Sequence, residues 1–278
     1  MSRFPLAQPD AAAVITGGAS GIGAATALEL ARRGSHIALL DRDEQGLQRV
    51  AEQVRALGVT ASTHVVDLSD PDSVTPVPNQ VAAEHGGAHI LVNCAGVSLL
   101  GTFAQLTLDE FDWLLRVNLW GTIVTTKLFL PHLSARRAAH ISNLSSGYGL
   151  LAPPGRAPYA TSKFGVRGFT ESLRNEMAGG PVSVSVVHPG GIKTQIAMKA
   201  RVAAAVDPAV AKKAAEAQTN AYRTTPEDAA IAIVAGIEKR RGRVLIGSDV
   251  RVLDAVARLT PAHYWRLIGS SLSAATRT

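Results

Sequence analysis

In the stretch AAAVITGGASGIGAATALELARR, Ala11 to Arg33, the periodicity of the apolar residues changes near the middle. Its first six residues form an apolar run typical of a buried β-strand, and its last thirteen place apolar residues at helical spacing. Between the two segments, Gly17, Gly21 and Gly23 open a turn. A backbone without side chains can approach a pyrophosphate, whose charge would lie at the N-terminus of the helix. A tight turn without a ligand is the alternative interpretation.

The alternation of strand and helix continues along the chain. Strand-like runs occupy Ala11–Thr16, His36–Leu40, Ala61–Val66, His89–Asn93, Ala139–Asn143, Val182–His188 and Arg243–Ile246. Helical spacing covers Gly21–Arg33, Asp43–Leu57, a segment ending near His85, Thr107–Leu133, Pro158–Met177 and Pro226–Lys239. Strands that alternate with helices predict βαβ units. We therefore expect an α/β fold, a doubly wound sheet of seven parallel strands with helices on both faces, plus a C-terminal helical extension.

Two segments depart from this alternation without marking a domain boundary. Pro76 and Pro78 predict a late start or a kink in the third helix. Residues 195–225 are rich in Ala and Lys and too long for an ordinary connection, so we expect a lid or a pocket wall there. We predict one domain over residues 1–278, with a core of about 11–248 and a basic amphipathic extension of about 249–278.

The composition describes a globular chain from a reducing compartment. Hydrophobic residues make up 46% of the 278 residues, which is enough for a large core, and Cys94 is the one cysteine. The N-terminus lacks the apolar segment of a secretory signal, and no run of 18 or more apolar residues occurs. We therefore expect a cytoplasmic protein.

The net charge of +6 arises entirely in the last 40 residues. The chain holds 20 basic and 20 acidic residues up to Glu238, and 8 basic and 2 acidic residues from Lys239 onward. This part has few aromatic residues and no nucleic-acid module, so we predict a solvated basic face and no nucleic-acid partner. The amphipathic segment Arg251–Leu272 contains Trp and Tyr, which would suit an anionic membrane surface. We favour packing over the pocket or in a subunit interface to such a peripheral membrane contact.

An acidic residue at the end of the second strand bears on the choice of nucleotide. Asp41 lies 18 residues beyond Gly23. A carboxylate there can bond both hydroxyls of an adenosine ribose and repels a 2′-phosphate, so we predict NAD rather than NADP. The neighbouring Arg42 is the counter-argument, because a guanidinium can accept a 2′-phosphate; its alternative is a solvent-facing side chain. Asp67 and the run Asn93–Gly96 follow the next two strands at the edge where such sheets bind ligands, although each alone is equally consistent with a turn.

Tyr159 and Lys163 lie four residues apart near the start of a helix and therefore share one face. A free Tyr has a pKa of about 10, and a neighbouring ammonium stabilises its phenolate. Such a pair is suited to shuttle a proton while a hydride moves. An exposed pair of no catalytic role is the alternative.

Together, these motifs resemble the single-domain branch of the short-chain dehydrogenase/reductase family. The matching elements are TGGASGIG, Asp67-Leu68, NCAG, Asn118, LSS, YATSK and PGGIKT, in the family's order and spacing from Val14 to Thr194. One such motif is weak evidence, whereas seven in register are strong. The resemblance implies a Rossmann-type fold and an NAD- or NADP-dependent oxidoreductase that acts on CH–OH groups.

The resemblance also implies residue roles. Tyr159 would be the general acid/base, Lys163 would hold the nicotinamide ribose and lower the pKa of Tyr159, and Ser146 would bond the substrate oxygen, with Ser145 as its support. Asn118 would hold a water in the proton relay. The implied cofactor-binding residues are Gly17, Ser20, Gly21, Ile22, Gly23, Asp41, Arg42, Asp67, Leu68, Asn93, Ala95, Gly96, Tyr159, Lys163, Pro189, Gly190, Ile192 and Thr194.

The chain departs from the family pattern at two positions that bear on the site. Cys94 stands where an Asn is usual, and we expect a small buried thiol there rather than a nucleophile. His89 stands where an Asp is usual, and we expect the loss of a local cap with no loss of chemistry.

The segment between Ser146 and Tyr159 lines the substrate site in the family. We predict substrate contacts by Ser146, Tyr148, Leu151 and Tyr159, and an apolar pocket that suits an alicyclic, steroid-like or long-chain secondary alcohol or its ketone. The alternative is that these apolar residues are core. We expect a homodimer or homotetramer that packs the helices Thr107–Leu133 and Pro158–Met177, and no metal. Two rival functions remain, a non-catalytic dinucleotide-binding regulator and a sugar-type epimerase or dehydratase.

Overall fold

A computed structural model describes residues 3–273. Its strands are β1 (Ala12–Thr16), β2 (His36–Asp41), β3 (Ala61–Val65), β4 (Ala88–Asn93), β5 (Leu99–Leu100), β6 (Ala139–Leu144), β7 (Val182–Pro189), β8 (Arg201–Val202) and β9 (Arg243–Ile246). Its α-helices are α1 (Gly21–Arg32), α2 (Glu44–Arg55), α3 (Pro71–Val74), α4 (Val77–His85), α5 (Leu108–Leu115), α6 (Gly121–Ser134), α7 (Ala157–Glu176), α8 (Pro208–Ala221), α9 (Pro226–Glu238), α10 (Ser248–Leu259) and α11 (Tyr264–Ser273).

Seven strands form one parallel sheet in the order β3-β2-β1-β4-β6-β7-β9. The chain runs outward from β1 to β3, then returns to β4 beside β1 and continues in the opposite direction. Open α/β sheets bind ligands at such a reversal, outside the carboxyl ends of the strands. The predicted doubly wound, Rossmann-like sheet is confirmed.

The sheet is buried on both faces, as the unbroken apolar runs predict. All five residues of β1 are buried, and alternate positions face opposite sides. Ala13 and Ile15 contribute to an apolar cluster that packs with α1, α2 and α9. Ala12 and Val14 contribute to a second cluster that includes residues of α4, α6 and α7. Every strand end is therefore held between two packed layers.

The predicted helix over 107–133 is interrupted, and the third helix is divided. A π-helical segment, Arg116–Trp120, separates α5 from α6 and carries Asn118. A π turn adds a residue to the helical repeat, and such turns are frequent at functional sites. The third helix becomes α3 and α4, with Pro71 and Pro78 in their first turns, where proline is tolerated.

The segments beyond the sheet pack on its carboxyl edge. Residues 195–225 contain β8, which pairs with β5, and then α8. The extension after β9 forms α10 and α11. The ion pair between Arg243 of β9 and Asp254 of α10 fixes this extension to the sheet edge. Among residues 3–273, no helix is long and apolar enough to cross a membrane.

The expected loss of a cap at His89 is wrong in its physical basis. His89 lies inside β4 and is fully buried. Its two ring nitrogens contact the carbonyl oxygens of Ala12 and Leu6, at 3.1 and 2.8 Å. The imidazole therefore bonds the N-terminal segment to the sheet.

Candidate active site

The glycines of the first turn are required by close packing. Gly17 has φ +70°, and a Cβ there would lie 2.8 Å from the Cα of Ala95. A Cβ on Gly23 would lie 2.1 Å from the carbonyl oxygen of Gly17. Gly21, at φ +55°, faces the side chain of Thr194. The turn therefore forms an open cradle of backbone at the N-terminus of α1, as a pyrophosphate site requires.

Ser20 and Ile22 lie within this cradle. Ser20 precedes α1 with an extended backbone and makes no side-chain cap. Ile22 is half-buried and packs on the apolar cluster that includes β1. The first N–H groups of α1 are thus left for a ligand rather than for a capping side chain.

The side chain of Asp41 points back to the same turn. Its Oδ2 accepts a hydrogen bond from the N–H of Ala19 at 3.2 Å, and its Oδ1 accepts one from the N–H of Asp43. The carboxylate is therefore positioned beside the cradle at the end of β2. Arg42 is exposed, and its positive charge acts on Asp67.

The residues after β3 lie at the same edge of the sheet as Asp41. Two hydrogen bonds from Ser69 and the nearby charge of Arg42 hold the pKa of Asp67 below its ordinary value, although partial burial opposes them. Leu68 contacts α6, because a Cβ on Gly121 would lie 2.9 Å from the Cβ of Leu68.

Asn93 and the two residues after Cys94 lie at the end of β4. The Nδ2 of Asn93 donates to Oδ1 of Asn143 and to Oγ1 of Thr126, which ties β4 to β6 and α6. The N–H of Ala95 donates to Oγ1 of Thr16. A Cβ on Gly96 would lie 3.4 Å from Nζ of Lys163, so this glycine lets the lysine approach the strand end.

Cys94 is half-buried rather than buried, and it lacks the properties of a nucleophile, as predicted. Burial raises the pKa of its thiol to about 12, while the charge of Lys163 acts weakly in the opposite direction. A thiol with such a pKa is protonated at neutral pH and is a poor nucleophile.

The structure brings Tyr159, Lys163 and Ser146 together. Tyr159 and Lys163 lie one turn apart on α7, with the ammonium 5.7 Å from the centre of the Tyr159 ring. Ser146 follows β6 and precedes a short 3₁₀ turn, Gly147–Gly149, that it caps through its hydroxyl. Ser145 supports this arrangement, because its hydroxyl donates to the carbonyl oxygen of Lys163.

Lys163 is buried, and its Nζ donates to the carbonyl oxygen of Leu144 at 2.9 Å. Burial lowers its pKa to about 8. Burial also raises the pKa of Tyr159, while the Ser146 side chain and the charge of Arg156 act to lower it. The prediction that Lys163 lowers the pKa of Tyr159 is therefore not met by the protein's own groups, because desolvation of the phenol dominates.

Asn118 reaches the site from the π-helical segment. Its Oδ1 accepts from the N–H of Val97, and its Nδ2 donates to the carbonyl oxygen of Val97 and to Oγ of Ser162. Ser162 in turn donates to the carbonyl oxygen of Tyr159. Sequence reasoning assigned Ser162 no role, whereas the structure makes it the link between Asn118 and the catalytic helix.

The segment after β7 lies against the glycine turn. Pro189 ends β7, and the N–H of Gly190 donates to the carbonyl oxygen of Ile246. Ile192 is buried and bridges to Thr224, and Thr194 lies against the first turn at Gly21. The predicted cofactor-binding residues after β7 and after β1 are therefore neighbours.

Two of the predicted substrate residues, Tyr148 and Leu151, lie in different surroundings, the first beside Tyr159 and the second in the core. The ring of Tyr148 stands at 90° to that of Tyr159, with their centres 6.1 Å apart. Leu151 is fully buried, because its N–H bonds back to Gly147 and draws the side chain into the core. The structure therefore does not place Leu151 on the pocket wall. A cavity of about 160 Å³ lies nearby, lined by Leu100, Arg156, Ala197, Met198, Ala200, Val202, Pro208, Ala211, Lys212 and Ala215.

Comparisons with known proteins agree with this arrangement. A family model for short chain dehydrogenases matches residues 11–205. The chain belongs to the short-chain dehydrogenase family. It is 38% identical to SadH of Mycobacterium tuberculosis, a protein named as an oxidoreductase. The match covers 94% of this chain and 95% of that protein. The chain is an oxidoreductase that acts with a nicotinamide dinucleotide.

Two solved structures resemble the dehydrogenase closely. A short chain dehydrogenase/reductase from Burkholderia phymatum, in complex with NAD, has a TM-score of 0.85 and 28% identity, covering 92% of this chain and 94% of that one. A short chain dehydrogenase from Burkholderia cenocepacia, in complex with NADP, has a TM-score of 0.76 and 29% identity, covering 89% and 99%. The similar structures therefore include one complex with NAD and one complex with NADP.

Three further residues of the dehydrogenase escaped sequence reasoning. Asp249 of α10 accepts from the N–H of Gly191, and His188 bonds the carbonyl oxygen of Ser146 through Nδ1. Arg156 precedes α7 and is buried beside the cavity. Their hydrogen-bond partners are remote in sequence, so no local sequence pattern predicts these contacts.

Proposed function

We propose that this dehydrogenase interconverts a secondary alcohol and a ketone, with NAD as the hydride acceptor in the oxidative direction. The observation that carries the proposal is the meeting of Tyr159, Lys163 and Ser146 at the carboxyl edge of the sheet, beside the glycine cradle. The cradle and Asp41 fit a dinucleotide, because no side chain caps the first N–H groups of α1 and the Asp41 carboxylate lies beside the same turn.

The residues divide the proton chemistry among themselves. When bound, the dinucleotide would supply the acceptor for the hydride of the alcohol carbon. The Tyr159 phenolate accepts the alcohol proton, and the Ser146 hydroxyl donates a hydrogen bond to the same substrate oxygen. We propose that the Lys163 ammonium binds the ribose hydroxyls of the cofactor, and that the Ser146 side chain and the charge of Arg156 act against the desolvation that raises the pKa of Tyr159.

The chain from Asn118 supports proton exchange with solvent. Asn118 and Ser162 hold the backbone around Tyr159 through the carbonyl oxygen of Tyr159. We propose that Asn118 orders a water next to Lys163, and that this water and Lys163 carry the proton of Tyr159 towards solvent.

NAD is the proposed cofactor rather than NADP. Its support is the carboxylate of Asp41, which the N–H of Ala19 holds beside the cradle, where it would repel a 2′-phosphate. The exposed Arg42 is the residue that an NADP enzyme would use in that place.

The substrate that we propose is lipophilic. Apolar side chains dominate the cavity, and the ring of Tyr148 stands against that of Tyr159. We also propose a cytoplasmic homodimer or homotetramer of one-domain chains. Exposed apolar side chains on the predicted packing helices support assembly, namely Leu108, Trp120 and Phe164.

Initial-rate measurements test the proposal. Secondary alcohols of increasing size are offered with NAD and with NADP, beside Tyr159→Phe. We expect turnover with NAD, and a loss on the order of 10²–10⁴ in kcat for the variant, because the general base is gone. NADH binding by the variant serves as the folding control. NADH binding without turnover of any alcohol by the wild type would favour the regulator instead.

The cofactor choice has its own matched pair. Asp41→Ser is expected to lower the ratio of kcat/KM for NAD over NADP at least tenfold, because the repulsion of the 2′-phosphate is removed. Arg42→Ala is expected to change that ratio less than threefold. A large effect of Arg42→Ala with none of Asp41→Ser would overturn the preference for NAD.

A further inference from the structure

Arg156 is a buried cation at the edge of the cavity that we propose holds the substrate. It is 7% exposed, lines the cavity of about 160 Å³, and lies three residues before Tyr159. It also holds the cap position before α7, where a positive charge opposes the helix dipole and where small polar or acidic residues are preferred. Local structure therefore gives no reason for an arginine at this position.

The contacts of Arg156 are neutral. Nη1 donates to Oγ of Ser98 at 3.1 Å and to the carbonyl oxygen of Leu99 at 3.5 Å, and Nη2 donates to Oε1 of Gln218 at 2.8 Å. Within residues 3–273, none of the ion pairs includes Arg156. A buried charge without an opposite charge is costly, so such groups normally have an anionic partner.

The hydrogen-bonding capacity of the guanidinium is also incomplete. A guanidinium carries five N–H groups, and the three contacts above engage two on Nη1 and one on Nη2. The Nε–H and the second Nη2–H make no hydrogen bond in the described part of the chain. Two N–H groups on one arginine match the two oxygens of a carboxylate.

The surroundings restrict what the ligand can be. The cavity wall is apolar at Leu100, Met198 and Val202, while Lys212 is a second cation whose side chain is 70% exposed. A phosphate dianion would need more donors than one partly engaged arginine offers in an apolar wall. A singly charged carboxylate on an apolar carbon skeleton matches the free N–H groups of Arg156 and the apolar wall.

The same charge reaches the reaction centre. The positive charge of Arg156 lowers the pKa of Tyr148, Tyr159 and Tyr222, against the larger effect of burial. The charge of Arg156, three residues before Tyr159 in the chain, therefore acts on the hydroxyl that we propose exchanges the proton.

We propose that Arg156 binds a carboxylate of the substrate, so that the dehydrogenase acts on an apolar oxo acid and the corresponding hydroxy acid. This inference rests on the proposed alcohol–ketone chemistry at Tyr159. The lipophilic cavity then holds the carbon skeleton, and the arginine determines which end enters first. Gln218 on α8 and Ser98 orient the guanidinium as positioning residues.

Matched substrates test the proposal. Straight-chain oxo acids with the ketone at successive distances from the carboxylate are compared with their methyl esters, using NADH. We expect at least one acid to exceed its ester about tenfold to a hundredfold in kcat/KM, as a charge-assisted hydrogen bond of roughly 1.5–3 kcal/mol gives. The difference is expected in KM more than in kcat, because the contact lies away from the reacting atoms.

Variants assign the preference to the residue. Arg156→Gln is expected to reduce the ratio of acid over ester to near one, and Arg156→Lys to retain part of it. Lys212→Gln, at the exposed rim, is the matched control and is expected to change the ratio less than threefold. Equal kcat/KM values for acids and esters in the wild type would overturn the proposal. An equal loss of kcat/KM for both in Arg156→Gln would also overturn it, because Arg156 would then have only a structural role.

A binding measurement separates this inference from the proposed reaction. The thermal midpoint of the wild type with NADH is compared in cyclohexanecarboxylate and in cyclohexanecarboxamide, which differ in charge and little in shape. We expect a rise with the carboxylate alone, absent in Arg156→Gln. Equal responses to both probes would overturn the carboxylate site, even if every ketone is reduced. Failure of the reaction, in contrast, would show as no turnover while the carboxylate still binds.

Discussion

The two ends of the active-site edge are built differently. The proposed cofactor end is formed by short turns directly after β1, β2 and β4, and its contacts involve mainly backbone atoms, such as the close approach of Gly17 to Ala95 and the hydrogen bond from the N–H of Ala95 to Oγ1 of Thr16. At the proposed substrate end, side chains of the helices after β9 hold the loops. Ala152 donates to the hydroxyl of Tyr264, and Gly191 donates to Asp249, across 112 and 58 residues.

The difference predicts how well each end tolerates substitution. A Cβ on Gly17 or Gly23 would lie within 3 Å of main-chain atoms, so these positions of the cradle tolerate little change. A pocket made of side chains from remote segments can change one residue at a time. Specificity is therefore expected to reside in residues 147–156, in 195–221 and in α10 and α11.

Gly23→Ala is expected to have the largest effect. The new Cβ would lie 2.1 Å from the carbonyl oxygen of Gly17, so the cradle must move. We expect NADH affinity to fall on the order of 100-fold, since overpacking against main chain costs roughly 3 kcal/mol. Fluorescence titration with NADH measures it. Gly168→Ala, which meets no atom within 4 Å, is the control, and a similar loss in both variants would refute the packing argument.

Acid stability is expected to depend on His188, beneath the substrate end. Burial lowers its pKa to about 4, so the folded protein excludes a proton that the unfolded chain binds near pH 6.5. Its contribution to stability is complete above about pH 6.5 and is lost as the pH falls, by roughly 3 kcal/mol near pH 4. Urea unfolding of His188→Gln should show a shallower loss than the wild type, whereas exposed His263→Asn should follow the wild type. Parallel curves for all three proteins would exclude this role.

Asp254→Asn tests how firmly the extension is attached. Hydrogen bonds from Arg243, and then from Arg258, lower the pKa of Asp254 to about 2. We expect a loss of about 2 kcal/mol in the free energy of unfolding at pH 7, because the half-buried Arg243 loses its partner. The pKa of Asp254 is lower in the folded than in the unfolded state. The wild type is therefore more stable than the variant above about pH 4, and this difference in the free energy of unfolding shrinks near pH 3.

The exposed pair of Asp112 and Arg116 provides the comparison for that variant. Both side chains are 58% exposed, so Asp112→Asn is expected to cost less than about 0.5 kcal/mol. Equal losses for Asp112→Asn and Asp254→Asn in urea unfolding would show that burial of the second pair adds nothing.

Tyr264→Phe is expected to have the smallest effect and to act on one end only. The variant removes the hydroxyl that accepts from the N–H of Ala152 in the substrate loop. A lost hydrogen bond of about 1 kcal/mol corresponds to roughly a fivefold change. We expect KM for the substrate to rise by this factor while KM for NAD stays constant. Equal changes in both constants would mean that α11 does not act on the substrate loop separately.

Sequence reasoning predicted the positions of the main features at the proposed cofactor end. The glycine turn, Asp41 and the four-residue spacing of Tyr159 and Lys163 lie within single elements, whose geometry follows from local repeat and residue type. It did not predict the π turn that carries Asn118, because that turn depends on packing between α6 and its neighbours rather than on local spacing. It placed Leu151 on the pocket wall, because apolar character alone does not distinguish a wall from a core.

The sequence by itself determined the sheet, its order of strand and helix, and the chemistry that meets at its carboxyl edge, because these follow from periodicity and from residues close together in the chain. The tertiary structure decided which side chains form the substrate chamber. It brought Arg156 beside Gln218 and Ser98, buried its charge, and placed it in one cavity with the residues of 195–221. Burial is a property of the packed chain, and burial is what turns an ordinary arginine into a group that requires an anion.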